Sequence, residues 1–210
     1  QSILNKVGLG RDDLECGAHW PTYEAAARDL AVKGQSPCSL HNVCSGKHAS
    51  MLGSVIVEGI QTSGYIKPDH DMQQRVRSVI EGFCNTSLSE APMGIDGCSL
   101  PTWAVPLQNL AYGFARFGTG DGLEPDRARL CKKIRSAVAE FPFMVAGTDR
   151  FCTRIMTQLG PQAFVKTGAE GVFCASLPHL GLGIALKIDD GATRSSEVAL
   201  AHLLHKSGVV

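Results

Sequence analysis

The sequence lacks an excess of charge of either sign. Its 20 Lys and Arg residues are balanced by 20 Asp and Glu residues, so the formal net charge is zero. A binding face for nucleic acid or for an anionic membrane needs a surplus of positive charge, and we therefore expect neither partner. The sequence also lacks a run of about 18 apolar residues, the length that a membrane-spanning helix requires.

A secretory signal is also absent, and the first residue is Gln1 rather than Met. Residues 2–14 have the pattern of continuous structure, so we expect the chain to begin inside a longer protein. The 210 residues suit one domain, which would then be incomplete at its N-terminus. The eight cysteines are expected to stay reduced, because a domain of this size needs no disulfides. We expect a cytoplasmic protein.

The hydrophobic pattern predicts helices followed by a small sheet. Predicted helices cover residues 23–32, 45–58, 71–83, 107–117, 126–139 and 149–159. Three apolar runs, at residues 163–166, 171–177 and 182–188, predict an antiparallel meander, and residues 197–206 predict a final helix. Residues 94–101 are expected to form a loop. This order of elements indicates an α+β fold.

The most informative motif is Cys44-Ser45-Gly46-Lys47-His48, at the predicted start of a buried helix. Free backbone N–H groups and the helix dipole favour anions there and lower the pKa of a nearby Cys or Lys. Core packing alone explains poorly why Cys, Lys and His fall within five residues. The competing interpretation is a glycine-mediated helix entry with a buried Cys and a solvated Lys.

A second cysteine of interest lies in Asp96-Gly97-Cys98. On local grounds this tripeptide predicts a plain turn in which Asp96 bonds its own backbone. Taken together with Cys44, it offers a pair of thiolates, and two thiolates with a nitrogen donor are a suitable set of zinc ligands. The two cysteines are not a Cys-x-x-Cys pair, so their spacing is a weak signal.

The triplet Lys166-Thr167-Gly168 ends the first strand of the predicted meander. Such a triplet belongs to the signature of β-lactamases and penicillin-binding proteins. There the cation and the hydroxyl bind the substrate carboxylate, and the glycine gives steric access. The same signature needs a Ser-x-x-Lys, but none of the nine lysines has a serine three positions before it. The nucleophile of such an enzyme would therefore lie outside the chain, before Gln1.

These segments together resemble the asparaginase II family, the asparaginases whose fold is like that of serine β-lactamases. The matching stretches follow the family's order through nearly the whole chain: residues 15–21, 40–52, 96–98, 144–150, 164–178 and 183–194. Val43 and Ser50 depart from the commoner Asn and Gly of the family's Cys-Ser-Gly-Lys-His segment. The resemblance implies a homodimeric amidohydrolase that converts L-asparagine into L-aspartate and ammonia through an acyl-enzyme.

The resemblance also implies a zinc ion bound by Cys44, Lys47 and Cys98. A lysine ligand must be neutral, so metal binding would displace its proton. His48 and Asp96 would stand beside the metal and bind substrate.

The remaining roles implied by the family concern the end of the chain. Lys166 would be a catalytic lysine, and Thr167 and Gly168 would contact the substrate. Cys152 would lie near the wall of the site. The nucleophilic Ser-Lys pair would come from an N-terminal segment with no counterpart here.

Two other functions stay open at this point. The chain could be a non-catalytic, zinc-binding remnant of the fold, or a β-lactamase-like acyl transferase. A zinc deaminase is disfavoured, because the sequence has no His-x-Glu with a Pro-Cys-x-x-Cys.

Overall fold

The computed structural model describes all 210 residues, Gln1–Val210. It confirms the predicted α+β class, since it contains nine α-helices and five strands in two antiparallel sheets. The helices are α1 (Ser2–Lys6), α2 (Glu24–Val32), α3 (Ser45–Val57), α4 (Asp71–Cys84), α5 (Leu107–Thr119), α6 (Pro125–Glu140), α7 (Phe143–Ala146), α8 (Phe151–Leu159) and α9 (Thr193–Lys206). The strands are β1 (Met93–Ile95), β2 (Pro101–Trp103), β3 (Phe164–Thr167), β4 (Val172–Leu177) and β5 (Leu182–Lys187).

The chain divides into two compact units. The first consists of Gln1–Val79 and Leu88–Ala104, and the second consists of Ile80–Ser87 and Val105–Val210. Helix α4 therefore contributes residues to both units. A single domain, and the serine β-lactamase-like arrangement, stay predictions.

Helix α3 supplies much of the buried surface of the first unit. Its buried residues His48, Ala49, Leu52 and Val55 recur at helical spacing and therefore share one face. The core of this unit combines residues from well-separated parts of the chain: Leu4, Leu14, Cys16, Ala49, Leu52, Tyr65, Cys98 and Leu100.

Strands β1 and β2 form a short hairpin in the first unit, with Gly94 opposite Thr102. The Asp96 N–H donates to the Leu100 carbonyl at 2.9 Å and closes the loop between the strands. The expected loop at residues 94–101 is therefore wrong at its two ends. Strands of three residues that contain Gly or Pro show no alternating pattern, so these two strands were not predicted.

The second unit contains the predicted three-stranded meander, which is confirmed. Its strand order is β3-β4-β5, and both pairs are antiparallel. The middle strand β4 is buried along nearly its whole length. On the edge strand β3, buried Val165 alternates with exposed Lys166.

Helix α5 packs against β4 and β5 at unusually close range. A Cβ atom on Gly183 would lie 1.9 Å from the Ala111 carbonyl oxygen and 2.5 Å from the Ala115 nitrogen. Only glycine leaves room for the helix backbone there. Helices α8 and α9 supply the core of this unit together with the sheet, through Cys152, Met156, Leu159, Val165, Phe173, Ala175, Leu177, Leu200 and Leu204.

The last helix, α9, begins four residues before its predicted start at residue 197. Serine is a common residue at a helix N-cap, but Ser196 lies inside the first turn of α9. Its hydroxyl donates to the Thr193 carbonyl at 2.8 Å and does not cap the helix. None of the nine helices combines the length and the apolar character that crossing a membrane requires.

Candidate active and metal-binding residues

The turn that leads into α3 is held by two side chains. Asn42 Oδ1 accepts a hydrogen bond from the Cys44 N–H at 2.8 Å, and Asn42 Nδ2 donates to the Cys16 carbonyl at 2.6 Å. His19 Nε2 accepts a hydrogen bond from the Val43 N–H at 3.0 Å. Because these bonds fix consecutive backbone N–H groups, an earlier segment of the chain sets the position of Cys44.

The loop between β1 and β2 is organised by Asp96. Its Oδ1 accepts a hydrogen bond from the Cys98 N–H at 2.7 Å, and its carbonyl accepts one from the Ser99 N–H at 3.0 Å. Ser99 adopts a left-handed φ of 72° to close the turn. The turn expected on local grounds is therefore present, and it leaves Asp96 Oδ2 available for a partner outside the loop.

These two segments bring together four side chains, which we call the thiol cluster: Cys44, Lys47, Asp96 and Cys98. Lys47 Nζ lies 3.4 Å from Asp96 Oδ2. The Cys98 side chain interacts with the other three. Cys44 and Cys98 are both free thiols. The two cysteines, distant in sequence, therefore interact and form no disulfide.

The charges of the thiol cluster follow from its burial and its partners. Burial raises the pKa of the Cys98 thiol, and the interaction with Asp96 acts in the same direction. Burial alone would lower the pKa of Lys47, but negative charge on its cluster neighbours outweighs this and raises that pKa. Burial opposes the lowering of the Asp96 pKa, but hydrogen bonds from Cys98 and the charge of Lys47 prevail. Without metal, an ammonium–carboxylate pair thus lies beside a protonated Cys98.

His48 follows Lys47 on α3 and is completely buried. Its Nδ1 lies 2.6 Å from the Tyr65 hydroxyl, whereas its Nε2 has no hydrogen-bond partner. Burial, and then the charge of Lys47, lowers the pKa of His48 to about 4, so the ring is neutral at pH 7. The Cys98 backbone opposes this shift, although no well-aligned hydrogen bond joins it to Nε2.

The thiol cluster contains the donors implied for zinc. No group of three or more His, Cys, Asp or Glu side chains is arranged to hold a metal. A site with three protein ligands therefore exists only if the Lys47 amine joins the sulfurs of Cys44 and Cys98. Two neighbouring free thiols and an amine are chemically suited to zinc. Ligation requires the Lys47 amine and both thiols to lose their protons.

In the second unit, Lys166 and Thr167 end β3 and Gly168 follows them. Lys166 is exposed, and its Nζ donates to the Thr167 carbonyl at 2.7 Å. The Gly168 N–H donates to the Val172 carbonyl at 2.8 Å, and a Cβ on Gly168 would lie 3.1 Å from Val172 Cβ. The triplet thus presents an exposed cation and a hydroxyl on an edge strand, at a point where an added Cβ would be tightly packed.

Cys152 lies beside this triplet but in the core of the second unit, where it is only 1% exposed. Burial raises the pKa of its thiol, although the Thr167 backbone and the charge of Lys166 oppose the shift. At neutral pH Cys152 is therefore a protonated, covered thiol. Among the predicted site residues, one group meets in the first unit (Cys44, Lys47, His48, Asp96 and Cys98) and the other in the second (Cys152, Lys166, Thr167 and Gly168).

A comparison with protein families gives one decisive result. The family model described as L-asparaginase II matches residues 1–210, the whole chain. The chain belongs to the L-asparaginase II family. A comparison with curated proteins gave no match.

Two residues that support this L-asparaginase II cluster were missed from the sequence. Asn42 lies beside the quoted motif, and its Asx-type bond to the Cys44 N–H could have been anticipated from its place two residues before the helix cap. Tyr65 lies between α3 and α4 in a segment without periodicity, 17 residues from His48. No local signal identifies it, because its contacts arise only from tertiary folding.

Proposed function

We propose that this chain is part of an amidohydrolase that converts L-asparagine into L-aspartate and ammonia. The observation that supports this proposal is the match of the L-asparaginase II family model to every residue of the chain. Membership of that family supports a hydrolase of the asparaginase type. L-asparagine as the substrate and the acyl-enzyme route are the proposed details.

The Lys166-Thr167-Gly168 triplet is proposed to act on the substrate. The Lys166 amine bonds only its neighbour's carbonyl, so it can turn to a substrate carboxylate or transfer a proton without breaking a long-range contact. The Thr167 hydroxyl donates only to the carbonyl of Gly168, at 3.2 Å, and can be redirected in the same way. Gly168 keeps the approach to the strand free of a side chain, while Cys152 lies buried beside the triplet.

In the thiol cluster, Cys44, Lys47 and Cys98 are proposed to hold a zinc ion. A bound zinc ion would act as a Lewis acid that stabilises negative charge and orders polar groups around it. Asp96 keeps the Lys47 proton in place while the metal is absent and is proposed to bind substrate beside it. The neutral His48 is proposed to contribute a hydrogen bond at the same place.

The attacking oxygen is proposed to come from a Ser-x-x-Lys outside residues 1–210. No lysine of this chain has a serine at the required spacing. The cysteines do not replace it well, because thiolates rather than thiols are nucleophiles. Cys152 is buried with a raised pKa, and Cys44 would be engaged by the metal.

One observation favours a second candidate. The thiol cluster is assembled although the chain has no Ser-x-x-Lys, as expected for a metal-binding relative without catalytic activity. A homodimer and a cytoplasmic location stay predictions.

The experiment that tests the proposal compares two lysines in the full-length gene product. Lys166→Ala is expected to lower kcat/KM for ammonia release from L-asparagine by at least about 100-fold, the usual contribution of a proton-transfer group. Lys187→Ala is the matched control, because Lys187 is also exposed at a strand end and bonds the carbonyl of the next residue. Equal losses in both variants, or no ammonia from the parent protein, would contradict the proposal.

A further inference from the structure

A series of two hydrogen bonds connects Glu15 to the buried His48 through Tyr65. The Glu15 N–H donates to Tyr65 Oη at 3.0 Å, and Tyr65 Oη lies 2.6 Å from His48 Nδ1. Tyr65 and His48 are both 0% exposed, so water cannot replace either bond. These two hydrogen bonds are therefore a fixed part of the first unit.

Two further bonds hold the backbone around Tyr65. The Glu15 carboxylate accepts a hydrogen bond from the Gly64 N–H at 2.7 Å. The buried Gln73 amide donates to the Tyr65 carbonyl at 2.7 Å. Glu15 thus binds Tyr65 through its N–H and the adjacent peptide through its side chain, which leaves the phenol little freedom to turn.

Counting hydrogens decides how the imidazole is protonated. Tyr65 has one hydroxyl hydrogen, and its oxygen already accepts from Glu15. If the hydroxyl donates to His48 Nδ1, the ring hydrogen sits on Nε2 and one buried polar group lacks a partner. If Nδ1–H donates instead, the Tyr65 hydrogen and the Nε2 lone pair are both left unpaired. The first arrangement leaves fewer buried groups unsatisfied and is favoured.

The Cys98 backbone lies close to the His48 ring, and Nδ1 of that ring is taken by Tyr65. We propose that Tyr65 is a positioning residue that holds His48 with its hydrogen on Nε2 and directs this donor towards the Cys98 segment. His48 then has no lone pair to offer a metal, because Tyr65 occupies Nδ1 and a hydrogen occupies Nε2. His48 serves the thiol cluster as a hydrogen-bond donor and not as a ligand. The tautomer of His48 is independent of the proposed function, whereas a role of His48 in an active site rests on it.

The tautomer can be read directly by long-range ¹H–¹⁵N correlation NMR on the ¹⁵N-labelled chain at pH 7, with EDTA and then with added zinc. His48 is assigned with the His48→Gln variant. In the parent chain His48 is expected to show one tautomer, with the hydrogen on Nε2, in both conditions. In Tyr65→Phe, which keeps the ring, this single tautomer is expected to give way to a mixture. Tyr23→Phe, at an exposed tyrosine, is expected to leave the His48 signals unchanged.

Three results would overturn the inference: hydrogen on Nδ1 in the parent chain, loss of the Nε2 hydrogen when zinc is added, or an unchanged His48 in Tyr65→Phe. If Tyr65→Phe does not fold, the two measurements on the parent chain still decide. Neither measurement needs substrate or turnover. The predicted tautomer in a chain whose full-length product releases no ammonia would therefore overturn the proposed function and leave this inference standing.

Discussion

Lys47 on α3 and Asp96 in the β1–β2 loop form an ion pair, with 3.4 Å between Nζ and Oδ2. The pair joins the two segments that carry Cys44 and Cys98. The Cys98 thiol is protonated at neutral pH and carries no negative charge, whereas the Asp96 carboxylate is ionised. Asp96 therefore stabilises the Lys47 ammonium in the thiol cluster. The ion pair thus keeps Lys47 protonated, and a metal ion has to displace this proton before Lys47 can bind it.

Asp96→Asn is expected to lower the pKa of Lys47, because it removes a negative charge and keeps the side chain's shape. ¹³C NMR titration of the reductively methylated protein measures this pKa. The loss of stability should stay below about 1 kcal/mol, since the pair is partly exposed. Asp29→Asn, which removes the exposed partner of Lys33, is the control. If Lys47 titrates alike in both variants, Asp96 does not contribute to the raised pKa of Lys47.

Metal binding should depend on both cysteines of the thiol cluster. Cobalt(II), a coloured substitute for zinc, should give thiolate charge-transfer absorption with the parent chain. Changes beside a metal site typically cost about 10–100-fold in affinity, so Cys44→Ser and Cys98→Ser are expected to cost at least about 100-fold. Cys38→Ser, at a partly buried cysteine outside the cluster, should bind as the parent does.

The same titration has a predicted pH dependence. Ligation displaces protons from the two thiols and from the Lys47 amine, so affinity should rise with pH, with up to about three protons released per metal ion. Affinity that is independent of pH, or that survives the loss of either cysteine, would exclude this ligand set.

The buried His48 should weaken the fold in acid. Its pKa of about 4 in the folded chain lies below the ordinary value of 6.5, so the unfolded chain binds more protons between these values. Its contribution to stability is therefore fully present above about pH 6.5 and is lost as the pH falls towards 4, on the order of 3 kcal/mol at most.

Urea unfolding of metal-free protein between pH 4 and 7 measures this contribution. His48→Gln should show a shallower fall in the free energy of unfolding over this range, whatever its stability at pH 7. His205→Gln, at an exposed site on α9, should keep the parent slope. Parallel curves for His48→Gln and the parent would mean that His48 does not titrate differently on folding.

The close contact of β5 with α5 predicts a large effect of one methyl group. Gly183→Ala would place Cβ inside the backbone of α5 and should cost about 3 kcal/mol or more. Gly94→Ala is the matched strand control, because the nearest atom to its added Cβ lies 4.0 Å away. Comparison of the two unfolding midpoints in urea tests this, and equal midpoints would contradict the packing described here.

The sequence was most informative where one local pattern was enough. The three apolar runs predicted the meander, because β4 is buried between two neighbours and the loops that separate the runs contain Gly and Pro. The apolar and small residues of α3, with few charges among them, predicted a buried helix there. The proximity of Cys44 to Cys98 was reached through a family resemblance rather than through spacing.

The remaining features depend on tertiary contacts that leave no local trace. The hairpin of β1 and β2 was missed because each strand has only three residues. Tyr65 is a functional candidate only because folding brings its hydroxyl to His48. The closeness of Gly183 to α5 is likewise invisible in a strand sequence that reads as an ordinary apolar run.

The central claim is that this chain belongs to an L-asparagine amidohydrolase whose nucleophile lies outside residues 1–210. Ammonia release from L-asparagine, measured with the full-length gene product and with residues 1–210, tests it most directly. We predict that the full-length product releases ammonia and L-aspartate in equal amounts. Residues 1–210 alone should be at least about 1,000-fold slower, because binding and electrostatics remain while the covalent route is lost. No release by the full-length product, or equal turnover by both proteins, would contradict the account.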